Sequence, residues 1–341
     1  MIHDALSNRL SSFERYPLLD SETPIHALSR LMAAGSFDGV NLFAKRDDLM
    51  GVGGGGNKLR KLEFLLGDAL AQGCDTLISF GGRQSNYARL SAAAAARAGL
   101  RCEVVLTPSA ARNDADFQHN GNVLLDGIFG ANVHLLAMGQ DPQAFVDELA
   151  RSLARQGRKA YVAPLAGSSA LGCLGYVSAA VEIQQQSALT GLDFAAILLP
   201  NGSGGSHAGL VAGQVAMGLD PTRVRGYTVL AEKSRAHAIT LGKAQDTLAL
   251  IAPDKSVQAS DIVIDGNHLG EGYGVPTAGM LSTVRRVARS EGWLLDPVYG
   301  GKALAGVLHD IEQGCYQPGD NLLFLMTGGI PGLFAYRSAF D

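Results

Sequence analysis

Apolar and polar positions along this chain fall into two alternating rhythms. Short apolar runs have strand character: NLFAKR (41–46), DTLISF (75–80), RCEVVLT (101–107), KAYVAPLAG (159–167), AAILLP (195–200), RGYTVLA (225–231) and NLLFLMTGG (321–329). Longer segments with helical spacing separate them. In NKLRKLEFLLGDALAQG (57–73), Leu59, Leu62, Leu65, Leu66 and Ala69 recur on one helical face, and Gly73 stops the helix. The spacing predicts further helices over 87–99, 144–157, 174–188, 278–292 and 301–314, and the alternation continues through NVLLDGIFGANVHLLA (122–137). Strands alternating with helices of this length predict an α/β fold with mostly parallel sheets covered on both faces. Ligands of such folds bind at the carboxyl ends of strands, so the loops that follow strands are the places to look for chemistry.

Four of these loops are unusually polar and rich in glycine. The first joins a strand to a helix through Gly51, Val52, Gly53, Gly54, Gly55, Gly56, Asn57 and Lys58. It contains G-x-G-x-x-G, but a dinucleotide site needs an acidic residue closing the second strand, and Asp75 opens that strand instead. A P-loop is ruled out because Asn57 separates the last glycine from the lysine and Leu59 replaces the hydroxyl residue. What remains is a lysine in the first turn of a helix. The positive end of the helix dipole disfavours a protonated amine there, and a neutral amine is what Schiff-base chemistry requires. The alternative is a Lys58 that merely opens an amphipathic helix with its ammonium in water.

The second loop carries Arg83, Gln84, Ser85 and Asn86 before a helix. Ser85 and Asn86 are good capping types, yet three polar side chains in a row exceed what a cap needs, and a helix N-terminus receives carboxylates. The third is Asn201, Gly202, Ser203, Gly204, Gly205, Ser206 and His207, between an apolar strand and a helix rich in alanine and glycine. Its small residues let backbone amides converge on a phosphate, although a plain flexible turn would look similar. The fourth group, Tyr273, Tyr299 and Thr327, lies near the C-terminus. A lone tyrosine is more often a core residue than a catalyst. His207 has no obvious partner in the sequence.

Composition narrows the function classes. The 341 residues suffice for two domains, and 47% hydrophobic with 18% charged residues is an ordinary globular mix. A net charge of −4 without charge blocks argues against nucleic-acid binding. No apolar run is read as a bilayer span, and residues 1–19 do not read as a secretory signal. Cys74, Cys102, Cys173 and Cys315 are scattered without zinc-ligand spacing, so they read as small buried residues, no metal is expected, and a cytoplasmic location follows by default.

Seven motifs, in order along nearly the whole chain, resemble one family of enzymes dependent on pyridoxal phosphate (PLP): that of 1-aminocyclopropane-1-carboxylate (ACC) deaminase and D-cysteine desulfhydrase. They are KRDDLMGVGGGGNKLRKLEFLLGDALAQG (45–73), QSN (84–86), NGNVLLD (120–126), SSALGCLGYVSAAVEI (168–183), EGYGVP (271–276), LLDPVYGGKALAG (294–306) and TGGIPGLFAY (327–336). The resemblance implies the tryptophan synthase β-like fold (fold type II) with two three-layer α/β/α domains. Residues 60–167 would form a smaller inserted domain, with 1–59 plus 168–341 as the larger one. It implies that Lys58 holds the cofactor as a Schiff base and that Lys61 assists its phosphate. The phosphate would lie in the cup of Gly202, Ser203, Gly204, Gly205 and Ser206. Asn86 would meet the ring hydroxyl, Ser85 would stand beside the reacting carbon, and Tyr273 and Tyr299 would be the active-site tyrosines. A homodimer acting on a small amino acid is implied as well.

Within the family, Gly300 stands where ACC deaminases carry glutamate, and Thr327 where they carry leucine and the desulfhydrases threonine. That favours elimination from D-cysteine to pyruvate, ammonia and sulfide, with ACC deamination or a cysteate-type sulfo-lyase as alternatives. The chain departs from typical desulfhydrases at Gly300, Arg83 and Tyr87. Arg83 and Tyr87 flank the expected carboxylate pocket, so Arg83 either receives a second anionic group or points to solvent. Outside this reading stand a PLP-dependent racemase, an inactive PLP-binding protein and a Rossmann oxidoreductase.

Overall fold

The computed structural model describes residues 2–35, 37, 39–108, 112 and 114–341. Among them, ten strands form two sheets. The strands are β1 (Ile25–Ala27), β2 (Asn41–Lys45), β3 (Thr76–Gly82), β4 (Arg101–Thr107), β5 (Asn132–Leu135), β6 (Ala160–Val162), β7 (Phe194–Asn201), β8 (Val224–Thr228), β9 (Val263–Asp265) and β10 (Asn321–Leu325). The larger sheet has the order β1-β2-β10-β7-β8-β9, parallel except where β1 pairs antiparallel with β2. The smaller sheet, β5-β4-β3-β6, is parallel throughout.

Successive residues of the central strands face opposite layers, as the twofold period of a strand requires. Ile197, Leu199, Leu323 and Leu325 enter a core on one side of the larger sheet, and Ala196, Leu198, Leu322 and Phe324 a second core on the other. The smaller sheet divides likewise, with Leu77, Val104 and Leu106 on one face and Ile78 and Val105 on the other. Continuous apolar runs and parallel pairing therefore have one cause, burial of both faces.

The helices agree with the sequence reading at Lys58–Ala71, Asn86–Ala98, Pro142–Arg155, Ala170–Thr190, Ala278–Glu291 and Gly300–Glu312. Of the longer helices the sequence reading misses Lys233–Ile251, and it also passes over the shorter Ile2–Leu10, Ser29–Ala33, Ala115–His119 and Pro331–Ala335. The buried face of Lys233–Ile251 is made largely of small residues, Ala236, Thr240, Ala244 and Thr247, so the apolar contrast that reveals a helix is weak. The segment 165–190 is apolar and long enough to cross a membrane by composition, contrary to the reading above. Its helix lies in the core of the larger sheet, with Cys173, Leu174, Tyr176 and Val177 fully buried. Cys74, Cys102 and Cys173 are buried as expected, but Cys315 is exposed just past a helix end.

Candidate active site

The loops after β2, β3, β7 and β10 meet at the carboxyl ends of their strands around a cavity of about 580 Å³. A backbone bridge between Gly56 and Gly328 and a 3.0 Å bond from the Asn57 amide to the Thr327 carbonyl fix the first loop against the last. Asn57 Nδ2 donates to Ser206 Oγ at 3.0 Å, fixing it against the third.

Lys58, in the first turn of its helix, lines this cavity. Burial depresses its pKa to about 8, and the nearby Lys243 adds to the effect. The dominant cause is thus desolvation, and the neighbouring cation comes from the helix the sequence reading missed. Lys61 is completely buried one turn later, and its ammonium donates to Ser168 Oγ at 2.9 Å. Burial, then Lys58 and Lys243, hold its pKa well below the ordinary lysine range. Ser168 Oγ in turn lies 2.7 Å from Ser203 Oγ in the third loop.

Gly205 closes this cluster. A β-carbon there would stand 2.5 Å from Ser168 Oγ and 2.6 Å from Lys61 Nζ, so only glycine lets the helix that starts at this residue approach the lysine. The third loop therefore has basic partners brought to it by tertiary contact. Lys58 on the lining, Lys61 behind Gly205 and Lys243 nearby, with no carboxylate among the described cavity-lining residues, make a place for a phosphate group.

The second loop is organised by buried side chains. Ser85 caps the helix Asn86–Ala98, its Oγ accepting from the Ala88 amide at 3.1 Å. The Gln84 amide is spent on structure: it donates to the carbonyls of Phe117 (2.7 Å) and Asn120 (2.8 Å) and accepts from the Asn122 amide (2.9 Å). Asn86 Oδ1 accepts from Asn122 Nδ2 at 3.0 Å and from Arg89 Nη1 at 3.4 Å, which leaves Asn86 Nδ2 to donate elsewhere. Arg89, fully buried, also holds the Gly55 carbonyl and Asn122 Oδ1, tying the first loop to the second. Beside it Asp126 is buried with neither oxygen hydrogen-bonded among the described residues, and its pKa is raised to about 8 by burial against the pull of Arg89. Arg89, Asn122 and Asp126 were not singled out from sequence, although two of them lie inside a quoted motif.

Arg83 and Tyr87 both line the cavity. Tyr87 does so mainly as a core residue: its ring packs near Gly167, and its buried hydroxyl has no hydrogen-bond partner among the described residues.

At the far side, Tyr299 Oη and Tyr273 Oη lie 2.6 Å apart. Tyr273 is 41% exposed and sits at the mouth, whereas the Tyr299 ring packs on Gly202. Burial raises the pKa of both hydroxyls, so both keep their protons at neutral pH. Tyr299 is positioned by Asp296, which accepts the amides of Val298 (2.9 Å), Tyr299 (2.7 Å) and Gly300 (2.6 Å) and caps the following helix. Burial lifts the Asp296 pKa to about 6 despite these three bonds. The Thr327 side chain lines the cavity and is nearly buried. His207 does have partners: Asn201 Nδ2 donates to its Nδ1 at 3.0 Å, and Nε2 donates to the Val224 carbonyl at 3.2 Å. Burial lowers its pKa to about 4, which leaves a neutral structural histidine.

These residues fit pyridoxal phosphate: an amine of depressed pKa, a glycine cradle over buried lysines, and an asparagine with a free amide group share one cavity of the usual size for a cofactor site. The comparisons with known proteins agree. The chain is 40% identical over 333 residues to a D-cysteine desulfhydrase of Serratia proteamaculans, covering 97% of this chain and 98% of the relative. It is 41% identical over 334 residues to one of Yersinia enterocolitica, with the same coverage. A crystal structure described as an ACC deaminase homologue superposes with a TM-score of 0.86 at 34% identity, covering 98% of both chains. Residues 17–328 match the family described as pyridoxal-phosphate dependent enzyme, and the chain belongs to that family.

Proposed function

We propose that the protein eliminates the β-substituent of a small amino acid, with D-cysteine as the substrate and pyruvate, ammonia and sulfide as the products. The observation that carries the reading is Lys58, a half-buried, desolvated amine with a pKa of about 8 facing a cavity that also contains Ser85, Asn86 and the Tyr273–Tyr299 pair. The similarity to desulfhydrases over almost the full chain supports D-cysteine in particular.

When bound, pyridoxal phosphate supplies the electron sink for negative charge at the substrate's α-carbon. Lys58 would hold it covalently. Lys61, Ser168, Ser203, Ser206 and the backbone amides around Gly204 and Gly205 would hold its phosphate. Asn86 Nδ2 would donate to the ring oxygen, and Thr327 would face the ring nitrogen with a hydroxyl and no charge.

The Lys58 amine would take the α-proton as a general base, a task suited to a pKa near the working pH. The N-terminus of the helix Asn86–Ala98, with Ser85 at its cap, receives the substrate carboxylate. Tyr299, kept protonated and held by Tyr273 and Asp296, donates a proton to the departing sulfur. The same reading includes a homodimer in the cytoplasm and a division into 60–167 and 1–59 plus 168–341. The family resemblance supports the dimer, the unpaired cysteines the location, and the separate four-stranded sheet the division.

The test is an absorbance spectrum of the purified protein, followed by separate additions of D-cysteine, L-cysteine and ACC. A visible band that is lost in Lys58→Ala, with sulfide and pyruvate from D-cysteine alone, is the expected result. Formation of 2-oxobutyrate from ACC would favour the deaminase reading that the structural neighbour raises. No band after reconstitution would refute the reading altogether.

A further inference from the structure

We infer that Arg83 is a specificity residue that receives a second anionic group at the end of a short substrate side chain. The inference deepens the proposed function and rests on its placement of the substrate carboxylate at the helix that follows Ser85. Arg83 lies in the same loop, two residues before that cap. Two residues of chain separate their α-carbons by about 6–7 Å at most, roughly the reach of one short amino-acid side chain. Nothing in the loop explains a guanidinium there. Its Nε is buried without a hydrogen-bond partner among the described residues, and burial lowers its pKa with no acid among them to offset the cost.

The charge of the whole cavity points the same way. Among the described residues that line it there is no aspartate and no glutamate, whereas Lys58 and Arg83 both line it and Lys61 lies just behind Gly205. The cofactor phosphate accounts for the lysine cluster at the third loop, and the helix N-terminus for one carboxylate. Arg83 is left over. No described residue on the lining offers it a negative charge. A half-buried guanidinium with free donors is built for a carboxylate or an oxidised sulfur group, which it meets through paired hydrogen bonds. The substrate class therefore extends beyond D-cysteine to small amino acids with a second anion, as in aspartate or an oxidised cysteine.

The experiment is calorimetric binding of aspartate and alanine, each as both enantiomers, to the holoprotein and to Arg83→Gln and Arg83→Lys. Neither amino acid carries a leaving group at its β-carbon, so the readout is affinity and not turnover. For at least one enantiomer the wild type should bind aspartate about 10- to 100-fold more tightly than alanine, the effect of one charge-assisted contact. Arg83→Gln should reduce that ratio toward one, and Arg83→Lys should restore part of it. Equal affinities in the wild type, or a ratio untouched by Arg83→Gln, would overturn the inference. D-Cysteine is assayed on the same preparations. Aspartate preference in a protein inert toward D-cysteine supports the inference while removing the desulfhydrase reading, and the converse result removes the inference alone.

Discussion

Arg60 and Lys61 are neighbours on one helix, both buried and both cationic, and their surroundings could hardly differ more. Arg60 donates to Asp47 through Nε (3.0 Å) and Nη2 (2.9 Å) and to Glu182 through Nη1 (2.7 Å). Lys45, Thr23 and Tyr176 complete the cluster, with Lys45 Nζ 2.5 Å from Glu182 and Tyr176 Oη 2.6 Å from Asp47. Burial alone would lower the Arg60 pKa, but the two carboxylates outweigh it and raise the value well above the ordinary one. Lys61 faces the other way and has Ser168, two other lysines and no acid. A closed ion cluster needs nothing further and fastens the helix to β2 and to the helix Ala170–Thr190. An open cluster is incomplete until an anion arrives. Charge that is buried and paired marks architecture here, and charge that is buried and unpaired marks the site.

The comparison can be broken most severely at the site. Lys58→Ala should lower turnover of D-cysteine by about 10²–10⁴-fold or more and remove the visible band, while leaving the thermal unfolding of the cofactor-free protein little changed. Retained turnover in that variant would separate Lys58 from the chemistry. On the architectural side, Arg60→Met leaves Asp47 without its ion-pair partner and Glu182 with Lys45 alone, and should cost about 3–5 kcal/mol, read from urea unfolding.

Acid should act on the same cluster. Burial pushes the Glu182 pKa up, but Arg60 and Lys45 bring it down to about 2 from an ordinary 4.5. A depressed carboxylate stabilises the folded state above its unfolded pKa and loses that contribution as pH falls through the folded one. Stability should therefore drop between about pH 4.5 and pH 2, and Glu182→Gln should flatten that drop. An unchanged acid limb in the variant would count against the cluster as its origin.

Lys61→Met sharpens the contrast with its neighbour. It should weaken cofactor binding by about tenfold or more in equilibrium dialysis, yet shift cofactor-free stability by less than about 1 kcal/mol. A stability loss equal to that of Arg60→Met would erase the distinction. The smallest effect concerns pH. With Lys58 at about 8, its neutral fraction and hence the rate of cofactor capture should rise about tenfold from pH 7 to pH 9, as followed by stopped-flow absorbance. A flat profile would mean that the amine is already neutral or that another step limits capture.

Much of this contrast was legible in the chain. Lys58, Ser85, Asn86 and the glycine loop at 202–206 were singled out because each occupies a turn after a strand where the local pattern of Gly, Ser and Asn departs from what a plain connection needs, and Tyr273 and Tyr299 through the family resemblance. Asp296, Arg89, Asn122 and Lys243 were not. Asp296 reads as an ordinary acid in LLDPVY, and its role comes from three amides that fold back onto it. Lys243 sits on a helix whose buried face is too weakly apolar to announce itself. His207 looked unpartnered because Val224, which accepts from it, lies on another strand.

The sequence by itself determined the strand–helix alternation, the parallel sheets and the loops in which chemistry would occur. These follow from hydrophobic period and from the backbone demands of Gly, Ser and Asn, which act over a few residues. Tertiary structure alone decided which cations are satisfied. Whether Arg60 meets Asp47 and Glu182, whether Lys61 meets Ser168, and whether Arg83 meets an acid among the described residues depends on side chains up to 122 residues apart along the chain. The physical reason is that desolvation and Coulomb energy depend on distance in space and on burial, and neither can be read from spacing along the chain.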